Sequence, residues 1–132
     1  MKPAVFIGSY SGRFMALDAR SGSVLWSRAA GGTVSGAASV IGSLVYYSTL
    51  SGRRTYALSA RTGRPVWSLG NGAFNPAISD GIRVYITGYS SVYAFTTPRQ
   101  LRKERLAAAK KKREAQKQKA APKTKKKPKK KS

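Results

Sequence analysis

The residues from Ala16 to Trp26 return, 41 positions later, as those from Ala57 to Trp67. Ala16, Leu17, Ala19, Arg20, Gly22 and Trp26 are matched by Ala57, Leu58, Ala60, Arg61, Gly63 and Trp67. A repeat of this length is a stacked supersecondary unit, because one short unit cannot bury its apolar face alone. This constrains the chain more than its composition does.

Each copy reads as a strand, a tight turn and a second strand. Tyr56, Leu58 and Ala60 alternate with Ala57 and Ser59, the period-2 pattern of a pleated ribbon. Gly22 and Gly63 sit where a hairpin needs positive φ, and Val24–Trp26 and Pro65–Trp67 resume the strand. Pro65 has no N–H to donate, so its strand begins there or lies at an edge. Upstream of these units stand the β-branched and aromatic runs 5–9, 44–48 and 83–87. Residues 37–40 and 77–79 precede the second and third runs, joined by Ile41-Gly42-Ser43 and by Asp80-Gly81.

Four short strands in about 40 residues make a propeller blade. The predicted strands are 4–9, 13–18 and 23–28; then 35–40, 43–49, 53–59 and 65–69; then 73–79, 82–88 and 91–95. The expected fold is therefore all-β, a partial β-propeller of about two and a half four-stranded blades spanning 1–97. Rings close with four to eight blades, so the count predicts the C-terminal portion of a larger propeller.

The spacing of Ala16, Asp18, Gly22 and Trp26 resembles the tryptophan-docking repeat of the pyrroloquinoline-quinone-like (quinoprotein) β-propellers. Ala57, Gly63 and Trp67 repeat it with Ser59 in place of the Asp, and a third copy starts at Val92-Tyr93-Ala94-Phe95. The resemblance covers about residues 4–96 and is specific for fold. That superfamily holds quinoprotein dehydrogenases and also non-catalytic scaffolds of the outer-membrane assembly lipoprotein type. The resemblance points to the second branch, a scaffold or protein-interaction module, with a remnant of a quinoprotein dehydrogenase as the third reading by superfamily association alone. Its partners are then a protein or further blades, and a full-length parent belongs in the cell envelope.

The residues themselves argue against catalysis. The chain has no His and no Cys, which removes the usual metal and nucleophile–base sets. Asp18 and Asp80 are the only carboxylates of the first 98 residues, lie in different blades, and read as turn residues. Quinone and calcium sites of this superfamily use several acidic and amide side chains, and Asn71 and Asn75 are the only Asn residues here. No enzyme activity, cofactor or metal is expected. Trp26 and Trp67 read as residues packed between blades rather than as ligand-stacking groups. Tyr46, Tyr47, Tyr85 and Tyr89 read as strand aromatics. Gly31-Gly32 and Gly70-x-Gly72 are expected turns between blades and lack the Lys of a phosphate loop.

Charge divides the chain at Pro98. Of a net charge of +22, residues 1–98 carry +7 and residues 99–132 carry +15. Thr97, Pro98 and Gln100 form a helix-start pattern, and the Ala107–Ala109 run favours helix, so an exposed basic helix is expected over 98–121. From Pro122 to Ser132 the composition predicts a disordered Lys-rich tail. Two readings of this segment stand side by side. It is a solvated extension, or it binds polyanions (nucleic acid or an anionic surface) without sequence preference. The residues of the second reading are Lys110, Lys111, Lys112, Arg113, Lys125, Lys126, Lys127, Lys129, Lys130 and Lys131. No stretch is apolar enough for a membrane span, and the residues after Met1-Lys2-Pro3 do not read as a signal peptide.

Overall fold

The structure, a computed structural model, describes residues 3–73 and 75–120. It divides into two compact units, 1–96 and 97–132. The Pro122–Ser132 segment expected to be disordered lies outside the described residues.

The first unit contains three antiparallel sheets whose strands follow chain order. Sheet 1 is β1 (Ala4–Gly8), β2 (Arg13–Asp18) and β3 (Val24–Ala29). Sheet 2 is β4 (Ser39–Ile41), β5 (Leu44–Thr49), β6 (Arg54–Ser59) and β7 (Pro65–Gly70). Sheet 3 is β8 (Ile78–Ser79), β9 (Arg83–Thr87) and β10 (Val92–Thr96). Three, four and three strands match the expected part of a β-propeller. The innermost strands β4 and β8 are shorter than the predicted 35–40 and 73–79. Their flanks hold Gly36 and Pro76, which interrupt strand geometry.

The two repeat copies fold alike down to their irregularities. Ala16 pairs with Trp26 and Ala57 with Trp67, and in each copy the register shifts one residue later, before Leu17 and before Leu58. A bulge in the same place in both copies bends the outer strand and strengthens its twist.

Packing is between sheets. Phe14 of sheet 1 meets Val45, Tyr47 and Leu58 of sheet 2, with Ala30, Val34 and Ala60, and Phe6 and Trp26 border the cluster. A second cluster joins Tyr46 and Ala57 of sheet 2 to Ile86 of sheet 3, with Trp67, Val84 and Phe95 around it. Strand β5 serves both, Val45 and Tyr47 facing one way and Tyr46 the other, so five of its six residues are buried. That is why 44–49 lacks the polar alternation of a half-exposed strand.

An aromatic ladder crosses the first interface. Phe14 stacks on Tyr47 at 4.0 Å between centroids, and Tyr47 stacks on Tyr56 at 5.2 Å. Each such pair adds about 0.5–1.5 kcal/mol beyond its buried area. Beneath it the hydroxyls of Ser48 and Thr55 share a buried 2.8 Å hydrogen bond, which satisfies two groups that would otherwise be costly to bury.

The second unit contains α1 (Pro98–Ala120). Its first turn is capped by Thr97, whose Oγ1 accepts from the Gln100 N–H at 3.2 Å. Gln100 donates from Nε2 to Glu104 at 3.1 Å. Among the described residues no helix is long and apolar enough to cross a membrane.

Candidate functional site

The repeat residues come together where the first two blades meet. Trp26, on β3, lies over the β6–β7 hairpin turn of the next blade. Its Nε1–H donates to the Ala60 carbonyl at 3.1 Å. Under the ring is Gly63, at φ 67°, where an added Cβ would stand 2.7 Å from the indole. Two independent constraints therefore demand glycine there: positive φ and the closeness of the ring. Phe6 and Phe14 flank the indole at 5.8 and 6.0 Å. Trp67 occupies the matching place one blade on and meets Phe95 edge-on at 4.9 Å.

Ala16 and Ala57 pair with these tryptophans across the β2–β3 and β6–β7 ladders and are buried. Asp18 holds the turn of the first copy: Oδ1 accepts from the N–H groups of Arg20 (2.9 Å) and Ser21 (3.0 Å). Ser59 stands in its place in the second copy and accepts from the Thr62 N–H at 3.4 Å, a longer contact from a shorter side chain.

Asp80 has the same kind of role in the β8–β9 turn. It accepts from the N–H groups of Arg83 (2.7 Å) and Ile82 (2.8 Å) and from the Tyr85 hydroxyl (2.7 Å). The Arg83 N–H leads in holding this carboxyl down at about 2, with Tyr85 and Ile82 contributing. The same contact pushes the Tyr85 phenol up. Burial pushes the Tyr47 phenol up to about 12, with Tyr56 adding to it, and its hydroxyl donates to the Ala30 carbonyl at 3.2 Å.

These carboxylates are engaged with their own turns, a stabilising arrangement rather than a reactive one. Among the described residues no group of three or more His, Cys, Asp or Glu gathers to hold a metal. A shallow cleft of about 320 Å³ is lined by Phe6, Ile7, Gly8, Tyr10 and residues 34–38, none of them charged.

Lys110, Lys111, Lys112 and Arg113 lie exposed on α1, with Lys110 4.0 Å from Glu114. Lys125, Lys126, Lys127, Lys129, Lys130 and Lys131 lie outside the described residues. The helix carries ten basic and two acidic side chains.

Sequence reasoning missed three features. The Phe14–Tyr47–Tyr56 ladder was signalled only by the two-faced apolar run of β5. The Ala60 carbonyl, as a backbone acceptor, has no signature in side-chain type. Tyr89 lies in the β9–β10 connection rather than in a strand, and the Arg53 guanidinium sits 4.7 Å above its ring.

Residues 2–108 match the model of a family described as outer membrane protein assembly factor BamB. A search of curated proteins gives no match. Among solved structures, BamB from Moraxella catarrhalis is similar, with a TM-score of 0.62 and 28% identity over 71% of this chain and 30% of that one. A europium-containing methanol dehydrogenase shares the fold, with a TM-score of 0.53 and 16% identity over 70% of this chain and 21% of that one. The chain thus spans less than a third of either protein. With its Trp-over-Gly blade contact and a match across most of its length, the chain belongs to the BamB family of pyrroloquinoline-quinone-type β-propeller proteins.

Proposed function

We propose that the blade region is a non-catalytic scaffold acting through protein–protein contact, alongside further blades, in the assembly of outer membrane proteins. The observation that carries this reading is the family match over residues 2–108. The blade chemistry supports it: Asp18 and Asp80 are tied to their own turns, and neither His nor Cys occurs in the sequence.

The test has two arms. Deleting the gene in its host should lower the folded, heat-modifiable fraction of outer-membrane barrels. The purified chain, given pyrroloquinoline quinone, calcium or a lanthanide, and an alcohol, should reduce no dye. Unchanged barrels, or alcohol-dependent dye reduction, would overturn the reading.

A second reading concerns α1. Ten basic side chains on one continuous helix present positive charge at close spacing, which favours polyanions through counterion release. Its expected signature is retention on polyphosphate or DNA that falls steeply with salt and disappears when residues 98–132 are removed. Retention unaffected by that removal would eliminate it.

A further inference from the structure

Six of the ten basic side chains of α1 fall on one side of the helix. Arg99, Arg102, Lys103, Lys110, Arg113 and Lys117 are spaced by three, four or seven residues, which returns a helix to the same face. From the first to the last the stripe is about 27 Å long, at 1.5 Å per residue. The turn left open between Lys103 and Lys110 is filled by Leu106, which is 64% exposed. Arg99, Arg102, Lys103 and Leu106 line one groove together, so the charges and the leucine share this surface. Of the two acids of α1, Glu104 lies on the other side, where Gln100 donates to it, and Glu114 stands at the edge of the stripe, 4.0 Å from Lys110.

An exposed leucine at the centre of a basic stripe discriminates among polyanions. Nucleic acid is held by charge on its phosphates and by aromatic stacking on its bases. α1 has no aromatic residue, and a phosphate backbone leaves Leu106 without an apolar neighbour. A bilayer of anionic phospholipid accommodates both features. Its headgroup phosphates meet the cations, whose aliphatic stems lie along the surface, and its acyl boundary receives the leucine. The helix is not apolar enough to cross such a bilayer, so it lies along the surface.

We infer that the Arg99–Lys117 face of α1 adsorbs onto a membrane of anionic phospholipid, with Leu106 entering the headgroup layer. This rests on the polyanion reading of α1 and names the polyanion. The blade reading agrees with it, since assembly of outer membrane proteins takes place beside phospholipid. The contact is one-sided. The Debye length is about 8 Å at physiological salt and the helix is about 10 Å across, so charges on its far side are screened from the lipid.

The probe is a vesicle of equal parts phosphatidylglycerol and phosphatidylethanolamine, sedimented with the full chain at physiological salt. Lys103→Gln, Lys110→Gln and Arg113→Gln together should lower vesicle affinity about tenfold or more. Arg105→Gln, Lys111→Gln and Lys112→Gln together should lower it by less than about threefold. Each set removes two Lys and one Arg, all exposed, and Gln preserves the helix. Because the sequence has no Cys, Leu106→Cys and Ala108→Cys each take a single polarity-sensitive fluorophore. Vesicles should shift the emission of the first to the blue and leave the second, on the opposite face, as it is in water.

Equal losses from the two triple variants, equal emission shifts at the two positions, or no preference for these vesicles over phosphatidylcholine would each overturn the inference. Displacement of the chain from vesicles by duplex DNA at equal phosphate concentration would also overturn it, the polyanion then being nucleic acid. Retention on polyphosphate without vesicle binding fails this inference alone. Failure of the α1 reading has a different signature, retention on polyphosphate that survives removal of residues 98–132.

Discussion

Trp26 and Ala60, 34 residues apart, are joined by an indole N–H to carbonyl hydrogen bond of 3.1 Å that pins one blade to the next. The indole supplies both apolar area and the one donor that this carbonyl meets from the neighbouring sheet. Trp26→Phe should therefore cost about 1 kcal/mol, the effect of leaving the acceptor unpaired. Trp26→Ala should cost about 3 kcal/mol by emptying the space between Phe6, Phe14 and Gly63. Urea unfolding followed by far-ultraviolet circular dichroism would separate the two, and a Trp26→Phe cost near zero would show that the hydrogen bond does not contribute.

Gly63 and Gly22 make a matched pair for a glycine test. Gly63→Ala combines positive φ with a 2.7 Å approach to the Trp26 ring, so a loss of roughly 2–4 kcal/mol is expected. Gly22→Ala carries only the backbone term, about 1–2 kcal/mol. Similar losses at both positions, measured by denaturant midpoint, would contradict the blade contact.

Tyr47 should make stability fall at high pH. Its neutral phenol donates to Ala30, and its folded value of about 12 lies above the unfolded value of 10.0. The contribution is complete below pH 10 and is lost as pH rises through 12, because the unfolded chain releases that proton first. Tyr47→Phe should flatten the alkaline limb of a melting-temperature profile while lowering the plateau, by about 1 kcal/mol for the lost hydrogen bond. An unchanged alkaline limb would place the titration elsewhere.

Asp80 gives the opposite sign. Its carboxyl, held at about 2 against an ordinary 3.8, supports the β8–β9 turn fully above pH 3.8 and releases it as pH falls through about 2. Amide exchange at Ile82 and Arg83, the two N–H groups that it accepts, should accelerate across that window relative to the rest of β9 after correction for intrinsic rates. Asp80→Asn should remove this dependence. A pH-independent ratio in the native chain would refute the assignment.

The α1 cap can be tested by itself. Thr97→Ala removes the acceptor that Gln100 uses at 3.2 Å and should weaken the helix by about 1 kcal/mol. The expected readout is lost helical signal at 222 nm with the tryptophan emission of the blades unchanged.

Much of the architecture is local information and so was legible in the residues. Period-2 alternation marks β6, β-branched and aromatic runs mark β1, β5 and β9, glycine marks the two hairpin turns, and a 41-residue recurrence makes neighbouring units alike. Strand number follows from these, since each signal depends on chain neighbours only. The inner strands β4 and β8 are shorter than their residues suggest because pairing with β5 and β9 begins only at Ser39 and Ile78, after Gly36 and Pro76. The Asp18 and Asp80 turns were readable for the reason the hairpins were: their hydrogen bonds close within three residues, apart from the Tyr85 contact across the turn.

The sequence by itself therefore determined the repeat, its turns and its strand order. Only the tertiary structure decided what each repeat touches. Gly22 and Gly63 are alike in sequence context and in backbone angle, yet one lies under an indole and the other on open surface. Val5 and Val45 differ in the same way, half-exposed against wholly buried. Burial is a property of the neighbouring sheet, whose residues lie tens of positions away, so no local pattern can distinguish the two.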